Sequence, residues 1–309
     1  MSALAFTALA LMLAGPVPAV LARSSWPLRA PRAAVVLWQA VAAAAVLSSF
    51  SAGLSIAAML FVPNAAGRPL VGITGSADRL GWPLWLASVL VFGLTLLIGA
   101  RLIVAVVAVA VGTRRRRAHH RTVVDLLGEC RHDMNDVRVL GVSEPLAYCL
   151  PGMRSRVVLS EGTLSTLSAT ELAAILRHER AHLRARHDLV LEAFTAVHTA
   201  FPRFVRSGSA LAAVRLLVEL LADDAAVRAT GPRPLARALV ACASARTPAG
   251  ALAAGGPTTV VRVRRLAGRP NSRALSLTAY LAAAAILVVP TVSVAVPWLT
   301  ELHRLFSAP

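Results

Sequence analysis

Four long apolar stretches constrain this chain more than any other feature. They cover residues 3–22, 33–62, 82–111 and 275–298. A helix of about 20 residues crosses a hydrocarbon core of about 30 Å, and each stretch is at least that long. Hydrophobic residues make up 57% of the chain, charged residues 15%, and the mean hydropathy is +0.67. This composition is typical of a chain partly dissolved in lipid. We therefore expect an α-helical membrane protein with four transmembrane helices.

Three of these spans have irregular features. The first could be a signal peptide, but no basic residue precedes Arg23, so we expect an uncleaved helix. The second is too long for one untilted helix, which indicates tilt or an interfacial extension. Arg101 interrupts the third. Its side chain either reaches the inner membrane face along its aliphatic stem or has a function within the membrane, and the sequence leaves both open.

The distribution of arginines predicts the orientation. Arginines follow the first span, a run of four follows the third, and five precede the fourth; these are Arg23, Arg29, Arg32, Arg114–Arg117, Arg262, Arg264, Arg265, Arg269 and Arg273. Because basic loops stay in the cytoplasm, the first loop and residues 113–274 are expected inside and both termini outside. The prediction is a multi-pass protein of the plasma membrane.

Three segments follow from this topology. Residues 1–112 are expected to hold three transmembrane helices, 113–274 a cytoplasmic domain, and 275–309 the fourth helix and a short tail. The segment 113–274 has 25 of the 32 arginines and 13 of the 15 acidic residues, enough polarity for a water-facing domain with a modest core. The net charge of +17 favours contact with anionic membrane lipid. The sequence has no recognisable nucleic-acid-binding motif, so direct binding to nucleic acid is not expected.

The central motif of this domain is His178-Glu179-Arg180-Ala181-His182. Ser168 and Glu171 have the spacing of a capping box, which predicts that a helix begins there. On that helix the two histidines lie one turn apart on the same face, so both rings can reach one zinc ion. Glu179 follows the first ligand directly and is placed to act as a general base toward water.

Zinc in a peptidase needs a third protein ligand, and the sequence offers two. Asp188 lies six residues past His182, as in compact zincins, although Ala185 stands where that arrangement uses a turning glycine. Glu219 lies on a later apolar helix with Asp223 four residues beyond it. There Glu219 would bind the metal, and Asp223 would orient a ligand imidazole by a hydrogen bond. An acidic cluster on the helix surface is the alternative.

Two short segments before the motif, 145–151 and 156–160, have the composition of β-strands. A strand at the edge of a sheet beside a metal can pair with an extended peptide. The backbone of Leu146, Ala147 and Tyr148 is the candidate for that contact, and a plain core strand is the alternative.

These residues together resemble a known family. An HExxH motif followed by a helix with Glu219 and Asp223 is similar to the glutamate-zincin membrane peptidases, and among them to the BlaR/MecR antirepressor peptidases of bacterial β-lactam sensing. The resemblance implies zinc bound by His178, His182 and Glu219, Glu179 as general base, and Asp223 in support. It also implies a protein substrate, in particular a DNA-binding repressor. After the fourth span only residues 300–309 remain, so no extracellular sensor domain is expected.

We therefore expect a membrane-bound zinc metalloendopeptidase with a small α+β, zincin-like catalytic domain that hydrolyses a cytoplasmic or membrane protein. One alternative is a zinc-binding signal transducer or scaffold with little proteolysis, which an intact Glu179 disfavours. The other is a non-enzymatic membrane protein such as a transporter component. Apart from Arg101 the spans lack the polar residues that this function would need.

Overall fold

The computed structural model describes residues 2–57, 60, 77–130, 136–152, 155–201, 208–243, 252–253, 258–268 and 271–307. Within them the chain is mostly helical. The helices are α1 Ser2–Ala14, α2 Pro16–Arg23, α3 Pro31–Ala57, α4 Ala77–Leu80, α5 Trp82–Leu127, α6 Glu161–Thr166, α7 Ala169–Ala185, α8 His187–Ala200, α9 Gly208–Thr230, α10 Pro232–Ala241, α11 Thr259–Leu266 and α12 Arg273–Ser307. The strands are β1 Glu129–Cys130, β2 Val137–Leu140, β3 Ala147–Leu150, β4 Arg156–Ser160 and β5 Leu252–Ala253.

Four helical regions among the described residues are long and apolar enough to cross a membrane. They are Ala3–Arg23, Pro31–Ala57, Trp82–Leu127 and Arg273–Val292. Each coincides with one of the four spans expected from the sequence, although residues 58–59 and 61–62 of the second lie outside the described residues. Helix α5 is longer than its expected span, because it continues past residue 111 through the arginine run to Leu127.

Helix α3 is the centre of the apolar helices, since it packs against α1, α5, α9 and α12. Small side chains make this possible: Ala33, Ala34 and Ala44 are fully buried. Gly53 allows α3 to approach α5 closely, because a Cβ atom at this position would overlap the side chain of Thr95.

Helices α8 and α9 belong to the segment 113–274, yet both pack against the apolar helices. Phe194 of α8 and Val214 of α9 share one buried cluster with Trp38 of α3. Arg101 of α5 donates a hydrogen bond from its Nε to the carbonyl of Ala200, 3.1 Å away, at the end of α8. The boundary between residues 112 and 113 stays a prediction, and the hydrophobic core is continuous across it.

The small sheet has the strand order β1-β2-β4-β3-β5. Strands β2 and β4 are parallel, and the other neighbouring pairs are antiparallel. The predicted strand pair corresponds to β3 and β4. One face of the sheet packs on α7 through a cluster that contains Ala147 and Ile175, and Tyr148 points to the opposite face, toward Val124 of α5. Because side chains alternate along a strand, Cys149 faces α7 again.

Candidate metal centre

Helix α7 positions the two histidines of the motif. It begins with the predicted capping box: Ser168 accepts a hydrogen bond from the Glu171 backbone, and the Glu171 carboxylate accepts one from the Ser168 backbone at 2.9 Å. The side chains of His178 and His182 are fully buried, and their Nε2 atoms lie 3.2 Å apart. One helical turn therefore directs both rings to the same point.

Helix α9, which packs against α7, brings Glu219 to this point. Its Oε2 lies 3.4 Å from His178 Nε2, and its Oε1 lies 3.6 Å from His182 Nε2. His178, His182 and Glu219 form the one metal-binding group found among the described residues, with ligand atoms within 4.8 Å of one another. Zinc–ligand bonds of about 2.0–2.2 Å at tetrahedral angles place ligand atoms about 3.3–3.6 Å apart. The observed separations are of this size, although the two histidines face different oxygens of the Glu219 carboxylate, so the three residues fit a zinc ion.

A second set of side chains fixes the orientation of both rings. Asp223, one turn beyond Glu219, lies 3.0 Å from His178 Nδ1 through its Oδ1. His187 Nδ1 lies 3.0 Å from His182 Nδ1. Arg186 makes this second contact possible, because its left-handed backbone (φ 50°) ends α7 and begins α8. With each Nδ1 engaged in this way, each Nε2 lone pair can face a metal, as ligand histidines require.

Glu179 stands beside this group and next to the thiol of Cys149. Its side chain is fully buried, and neither carboxylate oxygen accepts a hydrogen bond from an N–H or O–H group of the described residues. Burial raises the pKa of Glu179 to about 7, although the neighbouring His178 and the Cys149 thiol oppose the rise. A carboxylate with a pKa near neutrality can both accept and release a proton, which is the property required of a general base.

Arg262 of α11 completes the site. It is 1% exposed and binds Asp223 with two hydrogen bonds, at 2.8 Å from its Nε and 2.6 Å from its Nη2. Its Nη1 lies 3.0 Å from Glu219 Oε2. The sequence counted Arg262 among the basic residues that precede the fourth span, and the structure adds that its side chain is buried beside the metal-binding group. Its guanidinium compensates the two buried carboxylates, since buried charges need partners.

The pKa values of the site follow from this arrangement. Burial opposes protonation of His178, but hydrogen bonds to Asp223 and Glu219 outweigh it and raise the pKa of His178 to about 9. Burial lowers the pKa of His182 to about 3. Burial acts upward on Glu219, yet His182, Arg262 and His178 lower its pKa to about 2. The pocket thus keeps Glu219 ionised and favours positive charge beside it, which suits a cation.

Asp188, the other possible third ligand, has different partners. Its carboxylate is 3% exposed and lies 3.1 Å from Arg117 Nη1 of α5 and 3.6 Å from Arg186 Nε. Arg117 also reaches Glu192 of α8 at 2.7 Å. These contacts tie α8 to α5, and they place Asp188 in an ion-pair network separate from the metal-binding group.

The expected substrate strand lies differently from the sequence prediction. β3 is not at the edge of the sheet, because Tyr148 pairs with Ala253 and Cys149 pairs with Leu252 of β5. The Leu146 carbonyl also accepts hydrogen bonds from the Ser160 backbone and the Thr163 hydroxyl. A substrate contact at Leu146, Ala147 or Tyr148 stays a prediction, and it would require displacement of β5 at Tyr148.

Sequence reasoning missed three members of the site. They are Cys149, His187 and Arg262. A signal existed for the last two: His187 opens the helix directly after the motif, and Arg262 stands between valines in Thr259-Val-Val-Arg262-Val-Arg-Arg. Cys149 gave none, since only the alternation along β3 places its thiol beside Glu179.

Comparison with known proteins shows the family of this chain. A model of the family described as BlaR1 peptidase M56 matches residues 6–201, which is more than half of the 309-residue chain. The chain belongs to the BlaR1 peptidase M56 family. Its members of the BlaR1/MecR type are membrane metallopeptidases, and the resemblance stated above is confirmed. No curated protein and no solved structure matches the chain.

The M56 match covers α7 but ends before α9. His178, Glu179 and His182 therefore lie within the matched residues, whereas Glu219, Asp223 and Arg262 lie beyond them. For these three residues the support comes from distances in the folded chain, and those distances involve His178 directly.

Proposed function

We propose that this M56 family member is a membrane-bound zinc metalloendopeptidase that cuts a cytoplasmic protein or an inner-face loop of a membrane protein. The observation that supports it best is the convergence of His178, His182 and Glu219 at ligand distances beside the fully buried Glu179. His178, His182 and Glu219 would hold one zinc ion. When bound, zinc supplies a Lewis acid that polarises the scissile carbonyl and lowers the pKa of water.

The remaining chemistry belongs to the side chains. Glu179 accepts the proton of the attacking water and delivers it to the leaving amine, because its raised pKa allows both transfers near neutral pH. Asp223 and His187 hold the two rings, and Arg262 holds Asp223 and Glu219. Glu219 is the one member of the metal-binding group with exposed surface, at 15% of its side chain, so access to the site is from its side.

Replacement of the base tests this function. We expect Glu179→Ala to retain zinc while cleavage of a peptide substrate falls by several orders of magnitude, on the order of the 10²–10⁴ of general base catalysis or more. Metal analysis and turnover are measured on the same purified samples, with Arg184→Ala on the exposed side of α7 as the matched control. Cleavage by Glu179→Ala at the native rate would refute the mechanism and favour a zinc-binding signal transducer instead.

The cytoplasmic orientation is part of the proposal and is supported by the arginine distribution. Single cysteines introduced at Gly75 and at Ala118 should differ in labelling by a membrane-impermeant thiol reagent added to intact cells. We expect labelling at residue 75 and none at residue 118, because the positive-inside rule places residues 113–274 in the cytoplasm. Labelling at residue 118 with intact membranes would place the site outside.

Within this proposal the substrate is a DNA-binding repressor, as the family resemblance implies. The segment 113–274 has twelve more arginines than acidic residues, 25 against 13, which favours approach to an acidic partner or an anionic membrane surface. We compare the protein termini in cells that have the native chain with those in cells that have Glu179→Ala. A new terminus within a repressor should be present only with the native chain. A repressor that stays full-length under every inducing condition with native enzyme would contradict this substrate while leaving the peptidase intact.

A further inference from the structure

The outward face of helix α11 is mainly apolar. Its exposed positions are Val260, Val261, Arg264 and, directly after its end, Ala267. At 3.6 residues per turn these four positions lie in one sector of the helix, centred on Arg264. Val260 and Val261 are 61% and 37% exposed. A helix that faces water has charged and polar residues on its outward face, so this face does not have the composition of a water-exposed surface.

The inward face of α11 holds the helix on the candidate metal centre. Arg262 lies on this face, nearly opposite Arg264, and its guanidinium contacts Asp223 and Glu219. Leu266, about one turn further along, packs against the buried cluster between the sheet and α7. The two faces of α11 therefore have separate roles, because the inward face makes the contacts with the domain and the outward face is left exposed.

Two contacts place the end of α11 where the apolar helices leave the membrane. Arg265 donates a hydrogen bond from its Nε to the carbonyl of Leu28, 2.6 Å away, in the short loop between α2 and α3. The Ser272 backbone donates to the carbonyl of Arg29 in the same loop at 2.8 Å. The candidate spans Ala3–Arg23, Pro31–Ala57 and Arg273–Val292 all end or begin beside this loop. The loop, and with it the end of α11, therefore lies at one face of the membrane.

The rest of α11 lies close to the same level. Val260 is five residues before Arg265, which is about 7.5 Å along the helix. The headgroup region adds about 5–7 Å to each side of the hydrocarbon core. At any tilt of α11, Val260 is thus within about one headgroup layer of the level of the loop. Arg264 is exposed, and so are Arg29 and Arg273 of the neighbouring segments. Their positive charge is complementary to anionic headgroups.

We propose that α11 is an interfacial helix that lies on the inner leaflet, with Val260 and Val261 in the boundary between headgroups and acyl chains and Arg264 at the phosphates of anionic phospholipids. Aliphatic residues beside basic ones are the composition with which interfacial helices bind a bilayer. One helix, about 10 Å thick, then separates the lipid from the carboxylates that Arg262 holds. This contact goes beyond the proposed peptidase function and does not depend on it.

Spin labels measure the depth of α11 in a bilayer. The full chain with Cys130→Ser, which removes the exposed native thiol, is labelled with a nitroxide at Val260→Cys and reconstituted into phosphatidylglycerol nanodiscs. We expect the label to collide several-fold more with oxygen than with a water-soluble nickel complex, as a site in lipid does. Leu126→Cys is the matched control, because Leu126 is an exposed apolar residue about 22 Å along α5 past residue 111, and its label should be accessible to the nickel complex.

Two results would overturn the proposal. A label at residue 260 that is as accessible to the nickel complex as the label at residue 126 would place α11 in water. A label at residue 260 that collides little with either reagent would mean that protein, such as a second copy of the chain, covers the outward face instead of lipid.

Substitutions separate the apolar contact from the charged one. With the label at residue 260, Val261→Asp should raise collisions with the nickel complex several-fold, whereas Leu127→Asp at an equally apolar exposed site should not change them. Arg264→Gln should raise them up to about 5-fold in phosphatidylglycerol and leave them unchanged in phosphatidylcholine, because one cation near an anionic surface contributes about that factor. Unchanged collisions in Val261→Asp would refute the apolar contact. Equal effects of Arg264→Gln in the two lipids would refute the headgroup contact.

Discussion

Helix α7 contributes to the candidate metal centre through residues that are close in sequence, whereas helices α9 and α11 contribute through residues that are distant in sequence. α7 supplies His178, Glu179 and His182 within five consecutive positions, and its geometry follows from one helical turn. α9 and α11 supply Glu219, Asp223 and Arg262 from 37 to 84 positions away in the chain, and only packing brings them to the site. The positions of the reactive groups therefore depend on one helix, whereas the balance of charge around them depends on the tertiary fold.

The largest effect should come from the proposed third ligand. Glu219→Gln removes the carboxylate that we propose to bind zinc together with the two histidines, so zinc binding should be lost or weakened by orders of magnitude. Asp188→Asn should retain zinc, since Asp188 pairs with Arg117 outside the metal-binding group. Metal analysis of both purified variants decides the point. The reverse pattern would mean that the site is local to α7 and α8 after all, and the contrast between the two regions would fail.

A smaller effect is expected at Arg262. Arg262→Gln leaves Asp223 and Glu219 without their cation, and breaking a buried ion pair costs about 3–5 kcal/mol of stability. The free energy of unfolding should therefore fall strongly in chelator-treated protein and less in zinc-loaded protein, because bound zinc gives the carboxylates another positive charge.

Arg237→Gln is the matched control for Arg262→Gln. Its side chain is 78% exposed and its distance to Glu171 is 3.8 Å, so it should change stability by less than about 0.5 kcal/mol. Equal shifts in the two variants would show that α11 does not balance the charge of the site.

The smallest effect concerns His187. It lies close to the motif in sequence, as the α7 residues do, but its side chain reaches His182 only because the chain turns at Arg186. Burial lowers the pKa of His187 from 6.5 to about 4. Between these values the unfolded chain binds a proton that the folded chain excludes, so the free energy of unfolding falls as pH decreases from 6.5 to 4. His187→Gln should reduce this slope by up to about 1.4 kcal/mol per pH unit in chelator-treated protein. Denaturation curves with unchanged slopes would contradict the buried, neutral His187.

The orientation of His187 and the loss of the edge position at β3 illustrate what periodicity cannot provide. The sequence predicted β3 and β4 from composition, but β1 and β5 have only two residues each, too few to give a strand pattern. β2 was missed although Val-Arg-Val-Leu alternates like a strand. Without β5, the position of β3 within the sheet could not be inferred, and Tyr148 was assigned to the substrate. In the fold its side chain faces α5, and its hydroxyl lies 2.9 Å from His120.

The sequence alone determined the features that depend on short spacings. The four apolar helices, the capping box before α7, the pairing of His178 with His182 and the i, i+4 relation of Glu219 with Asp223 all follow from helical geometry within a few turns. The tertiary structure decided which of Asp188 and Glu219 meets the histidines, and it buried Arg262 against two carboxylates. It also placed α11 against the loop between α2 and α3. These three features depend on the packing of segments that are far apart in sequence. The partner of a buried charge can therefore be identified only when that packing is known.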